Sequence, residues 1–294
     1  MCIYLWLLYY KHISNIYFVN SKNNELLILF KNYIKHFTYK EAVIKTNNKL
    51  NHYTINNIVH FYLNNIITLT NYERKILYKH IQFIDNKCAK FKKIFNIPWN
   101  IIVLSNNIEK GMPFTLGHYI FLPKKYIDNL IKYKFNKDIF LNNCDTLLHE
   151  KIHILQRIFP IIFKQFYKIH LHCKYINNLV IDTHWKKKHF KNPDGLDIKW
   201  VYRYNNNDYL PMLIFNKNQL NQIIIKLTYN TNYFYTTSTY HNLYEFPIFK
   251  DYPTSISVYH PNEITAYIIP KLILNNYKLN NNLLIKFSIL MNKL

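Results

Sequence analysis

Apolar and polar positions along the chain alternate between two periods, and the change of period divides it into elements. Over residues 143–159, Leu147, Leu148, Ile152, Ile154, Leu155, Ile158 and Phe159 project onto one side of a helix, while His149 and His153 form a polar stripe on the other. Asn143 is expected to cap this helix, Asp145 to place negative charge in its first turn, and Pro160 to end it. Lys151 interrupts the apolar side and is expected to snorkel. Residues 1–97 read as a helical lobe. Thr38 with Glu41 and Thr70 with Glu73 have the form of capping boxes, and Ile76, Leu77, His80, Ile81, Phe83 and Ile84 recur at helical spacing. Near Pro98 the texture becomes strand-like, with candidates at 99–105 and 115–122; Gly111 and Gly117 flank or interrupt the second. Residues 123–133 and 161–176 read as helices. From Asp197 the pattern turns to strands at 199–204 and 209–215 around an Asn-rich turn, with 223–225 and 233–235 extending the sheet. A final helical region starts at Pro261, with Pro270 as a break or kink. The expected class is α+β, with a helical lobe over 1–97 and a mixed-sheet domain over 98–294.

His149-Glu150-Lys151-Ile152-His153 has the form His-Glu-x-x-His, expected by chance about 0.02 times at this chain's composition. Four residues apart on a helix, both imidazoles reach one metal ion, and Glu150 sits beside them to take the proton of a metal-bound water. Zinc fits this set: neutral nitrogen ligands, an open position and a carboxylate base. A third protein ligand is required. The short-spaced third histidine is excluded, because positions 156 and 159 are Gln and Phe. Of the downstream glutamates, Glu245 lacks a clear rigid support and Glu263 follows a proline that starts a helix; Asp194, Asp182, His184 and His170 remain alternatives. Asp145 and Gln156 are spaced to orient the imidazoles, and His260, Tyr259 and Tyr267 are candidate donors to an oxyanion. His36, His52, His60 and His80 read as surface or packing residues.

His149, Glu150 and His153 resemble the zinc-binding signature of the zincin metallopeptidases. The longer string from Leu148 to Arg157 is similar to uncharacterised metallopeptidase-like proteins of large DNA viruses, as are Asn192-Pro193-Asp194-Gly195 and His260-Pro261-Asn262-Glu263. The resemblance implies a zincin-like core in which the strand before the metal helix, here 114–122, pairs with an extended protein or peptide substrate. Asn262-Glu263 resembles the Asn-Glu pair that supplies the third ligand in thermolysin-like enzymes, and Tyr267 stands where such enzymes often place an aspartate.

Charge changes the picture less than its size suggests. The net charge of +22 is almost all lysine, since Arg74, Arg157 and Arg203 are the only arginines. Lysine is abundant together with Asn, Ile, Tyr and Phe, while Gly falls to 3, the imprint of an AT-rich genome such as that of a large virus or certain protists. Weak non-specific binding to polyanions at low salt is expected on charge alone. Cys2, Cys88, Cys144 and Cys173 are widely spaced, without a C-x-x-C, which fits a reducing intracellular compartment (for a viral protein, host cytoplasm or virion). The apolar run 3–10 is too short to span a bilayer and lacks a signal-peptide form, so no membrane anchor is expected. The expectation is therefore a zinc peptidase. Its rivals are an inactive zincin-fold binding protein and a nucleic-acid-associated protein with a structural zinc.

Overall fold

A computed structural model describes residues 14–19, 24–195, 199–216, 219–250, 252, 257–274 and 281–294. Cys2, the apolar run 3–10 and the expected strand start at Asp197 lie outside the described residues. The class is α+β. Two compact units form, one from Met1–Arg157, Pro270–Tyr277 and Leu294, the other from Ile158–Ile269 and Lys278–Lys293.

In the first unit, the apolar run Trp99–Leu104 becomes β3, buried at every position and central to a mixed sheet. β1 (Ile16–Phe18) and β5 (Tyr119–Pro123) pair with it in parallel, β2 (Ile66–Ile67) pairs with it antiparallel, and β4 (Phe114–Leu116) closes the edge against β5. Described parts of residues 1–97 are thus strands of the same sheet as β3. The expected continuous strand 115–122 is instead a hairpin: Gly117, at φ +57°, makes the turn, and glycine holds that conformation without steric cost. Helices α1 (Asn24–Ile34), α2 (Tyr39–Lys45), α3 (Ile55–Asn64), α4 (Asn71–Cys88), α5 (Lys92–Phe95) and α6 (Lys124–Lys132) belong to this unit. Both capping boxes form, at Thr38 with Glu41 and at Thr70 with Glu73.

The helix that carries His149 and His153, α7 (Lys137–Ile158), starts earlier than expected. Asn136 Oδ1 accepts the Ile139 N–H, so Asn136 serves the helix start, while Asn143 lies inside and gives its carbonyl to the Tyr126 hydroxyl. Asp145 is accordingly mid-helix. Lys151 does not snorkel. It is fully buried, its ammonium 3.3 Å from Asp85 Oδ1 and 4.2 Å from the centre of the Trp99 ring. Asp85, on α4, also accepts from Trp99 Nε1 and from the Ser14 backbone and hydroxyl. Burial pushes the Lys151 ammonium below the usual lysine range, with the Asp85 carboxylate opposing. Among the described residues no helix is long and apolar enough to cross a membrane. Cys88, Cys144 and Cys173 are free and buried, and burial pushes the Cys88 thiol up to about 12.

His80 packs its ring against Phe140, with centroids 4.3 Å apart, and Nδ1 meets the Ile76 carbonyl. Burial lowers its pKa from 6.5. Below about pH 6.5 the unfolded chain therefore binds a proton that the folded chain resists, and stability falls as the pH drops through that window. His80→Leu is expected to flatten this part of the stability profile; an unchanged slope in denaturant titrations from pH 7 to 5 would show that His80 carries none of it.

In the second unit, α8 (Pro160–His170) stops sooner than expected, and residues 173–175 become β6. The sheet runs β6 (Cys173–Tyr175), β8 (Trp200–Tyr204), β9 (Asn207–Asn216), β10 (Gln219–Asn230), β11 (Tyr233–Asn242), β7 (Leu179–Val180). β6 and β7 are consecutive in the chain yet occupy opposite ends of that order. Four residue steps span at most about 14 Å, whereas the outer strands of a flat six-stranded sheet stand about 24 Å apart. The sheet must therefore roll. Lys174 of β6 over the Phe234 ring of β11, at 4.8 Å, is the consequence. Inside it Val201, Leu210, Met212, Ile223, Ile225 and Trp185 of α9 (Thr183–Lys188) form a core. The expected turn forms at Asn205 and Asn206, with φ of +46° and +61°, the two-residue geometry that asparagine tolerates. Helix α10 (Pro261–Leu274) continues past Pro270, and α11 (Asn281–Met291) follows.

Candidate metal centre

Histidines four apart on α7 project the same way, and the two Nε2 atoms of His149 and His153 lie 3.0 Å apart. Gln156, one turn on, places Oε1 2.9 Å from His153 Nδ1. An amide oxygen only accepts, so the proton sits on Nδ1 and the Nε2 lone pair faces His149. Glu150, between the histidines in sequence, is buried.

Glu263 is positioned by the second unit's own residues. Gln222 of β10 accepts the backbone N–H groups of Val258 and Tyr259 and donates to the Tyr244 hydroxyl, which fixes the approach to α10. His260 then caps the helix, its Nδ1 accepting the Asn262 N–H; this leaves its ring proton on Nε2. Asn262 ties the first turn down, accepting from the Tyr167 hydroxyl and donating to the Asp194 carbonyl. The Glu263 carboxylate receives Asn192 Nδ2 at 2.9 Å and the Tyr259 hydroxyl at 3.4 Å, both on Oε1. Burial and the Glu263 charge raise the Tyr259 phenol well above its ordinary range, so it stays protonated and donates.

His149, His153 and Glu263 each offer one ligand atom, and these atoms lie within 4.8 Å of one another. Among the described residues the group includes none of Asp182, His184, Asp194 or His170. Asp182 instead caps α9 through the His184 N–H, and the His170 ring lies against Phe166. Lys271 Nζ lies 3.3 Å from Asp145 Oδ2. Asp145 thus engages a lysine, and Tyr267, one turn beyond Glu263, is partly exposed.

The donor set suits zinc. Two zinc–nitrogen bonds of about 2.0–2.1 Å at a tetrahedral angle put the nitrogens about 3.3 Å apart, close to the 3.0 Å found. Two neutral nitrogens and one carboxylate are the ligands of a catalytic zinc that keeps its fourth position open.

One expectation fails at the neighbouring strand. Thr115 is completely buried, and Arg157, at the end of α7, donates to its hydroxyl, to its carbonyl and to the Gly117 carbonyl. In a two-residue hairpin closed by Leu116 and Tyr119, the Thr115 carbonyl points away from β5, along the edge a substrate strand would use. The guanidinium occupies that acceptor, so this edge is closed to β-augmentation.

Sequence reasoning did not find Asn192 or Tyr259 as supports for Glu263, nor Asp85 beneath Lys151. The first two lay within or beside strings already singled out; for Asp85 the only signal was an unexplained lysine on an apolar face. Comparison with protein-family models, curated proteins and solved structures finds no match to this chain.

Proposed function

We propose that the chain is a zinc-dependent peptidase with His149, His153 and Glu263 as ligands and Glu150 as general base. The observation that carries this is the grouping of three ligand atoms that could hold one metal ion, with Gln156 bonded to His153 and with Asn192 and Tyr259 bonded to Glu263. When bound, zinc polarises a carbonyl and acidifies a water ligand. Glu150 takes the proton of the attacking water and delivers it to the leaving amine. His260, with its ring proton on Nε2, is the candidate donor to the developing oxyanion. Peptides as the substrate class rest on the resemblance of the His149–His153 signature to zincins.

Purified protein is expected to hold about one zinc per chain, and His149→Ala with His153→Ala to lose it. Zinc content unchanged in the double variant would place the metal elsewhere. The closed edge at Thr115 favours a second reading, a metal-binding protein that performs no hydrolysis. Wild-type protein that holds zinc and cleaves no general protein substrate would select it.

A further inference from the structure

In the rolled sheet of the second unit, residues of β6, β8, β9, β10 and β11 line a cavity of about 760 Å³, within the range of small-ligand sites. Its lining brings together Lys174, Arg203, Lys226, Asp208, Tyr229 and Phe234. We propose that this cavity binds a nucleotide unit, either free or as part of a single-stranded nucleic acid.

Three side chains carry positive charge and one negative, so two charges remain for an anionic ligand. Lys174 and Arg203 flank the carboxylate without hydrogen-bonding both its oxygens: Lys174 Nζ is 3.5 Å from Oδ2, and Arg203 Nε is 3.6 Å from Oδ1. Asp208 is only 8% exposed, and its Oδ1 receives no hydrogen bond. A buried acceptor left unmade is costly, and a ligand N–H would satisfy it. At the rim, Tyr229 is 62% exposed with its ring 4.9 Å from that of Phe234, offering a flat apolar face to solvent.

A bare phosphate would use the cations and leave both Asp208 Oδ1 and the Tyr229 face unaddressed. An acidic peptide would match the cations through its carboxylates, but these groups carry neither an N–H for Asp208 Oδ1 nor a flat face for Tyr229. A nucleotide supplies all three features: phosphate for Lys174, Arg203 and Lys226, a base edge N–H for Asp208, and a π-face for Tyr229. This differs from binding by net charge, because it needs an acceptor and a ring at defined places. It does not depend on the metal centre.

The test uses the full chain at physiological ionic strength, with two fluorescent probes: a short single-stranded DNA and an adenosine monophosphate analogue. Anisotropy is expected to report binding of one or both, and which of them binds tells free nucleotide from nucleic acid. Lys174→Ala with Arg203→Ala is expected to raise Kd by about tenfold or more, and Tyr229→Ala by about fivefold or more. Lys31→Ala with Lys168→Ala removes the same charge from exposed positions elsewhere and should change Kd by less than about twofold. The proposal is overturned if neither probe binds, if the control pair weakens binding as much as the cavity pair, or if Tyr229→Ala has no effect. It is also overturned if inorganic phosphate displaces the probe as well as adenosine monophosphate does. Tyr229 is exposed enough that its truncation leaves the fold intact, so that arm stands even if the double variant unfolds.

Discussion

Glu150→Gln is expected to keep zinc at the wild-type level and to lower turnover of a protein substrate by about 10²–10⁴-fold. The two side chains have nearly the same size, and Glu150 is buried, so the substitution keeps the packing of α7. What changes is proton chemistry: an amide cannot take a proton from water and hand it to a leaving amine. Because the proposed ligands are His149, His153 and Glu263 and not Glu150, zinc content should not follow activity. Near-full hydrolysis by the variant would remove Glu150 from the mechanism, and loss of zinc would make it a ligand or a support of one. Both measurements come from the same preparation.

Asp85→Ala is expected to destabilise the first unit by about 3–5 kcal/mol, the range for stripping the partner from a buried ion pair. Lys151 and Asp85 are both fully buried, so neither charge can turn to water after the change. Asp85 also accepts from Trp99 Nε1 and from both donors of Ser14, and these lose their acceptor together. Lys151→Met should cost less, because Asp85 then keeps three donors and the methionine chain fills most of the lysine's volume. Combining Lys151→Met with Asp85→Leu should recover part of the loss, since an apolar pair leaves no buried charge. Denaturant titration of the four proteins checks the order. Equal costs for the two single changes, or no recovery in the double variant, would show that the pair is not what holds α7 against α4. An intact pair matters to the site because Lys151 stands between Glu150 and His153 in sequence, on the back of the helix that presents them.

Much of the chain obeys local rules. Both capping boxes, the Asn205-Asn206 turn, β3 and the spacing of His149, Glu150 and His153 depend on atoms within about four residues of each other, and that range of interaction is visible in a single sequence. Even there the local rule chose wrongly where two residues of one type competed. Asn143 and Asn136 are equally good cap residues by type, and α7 starts at the earlier one, where Asn136 Oδ1 accepts the Ile139 N–H. Gly117 was recognised as a special position, but nothing local distinguished a bulge from a turn. Pairing of Leu116 with Tyr119 decided it.

Glu263 was reached from the sequence by elimination and resemblance, 110 residues from His153, and no local rule could have tested it as a member of the group that could hold a metal ion. By itself the sequence determined which helix carries the histidines, that Glu150 stands between them, and that strands follow from about residue 199. Tertiary structure alone decided that Asp85 meets Lys151 across 66 positions, that Asn192 and Tyr259 hold Glu263, and that Arg157 seals the Thr115 edge. It also rolled the second sheet until Lys174 met Phe234. The reason is common to all of these. A buried charge or acceptor is costly until it finds a partner, and which partner is near depends on how distant segments pack, a property no window of neighbouring residues contains.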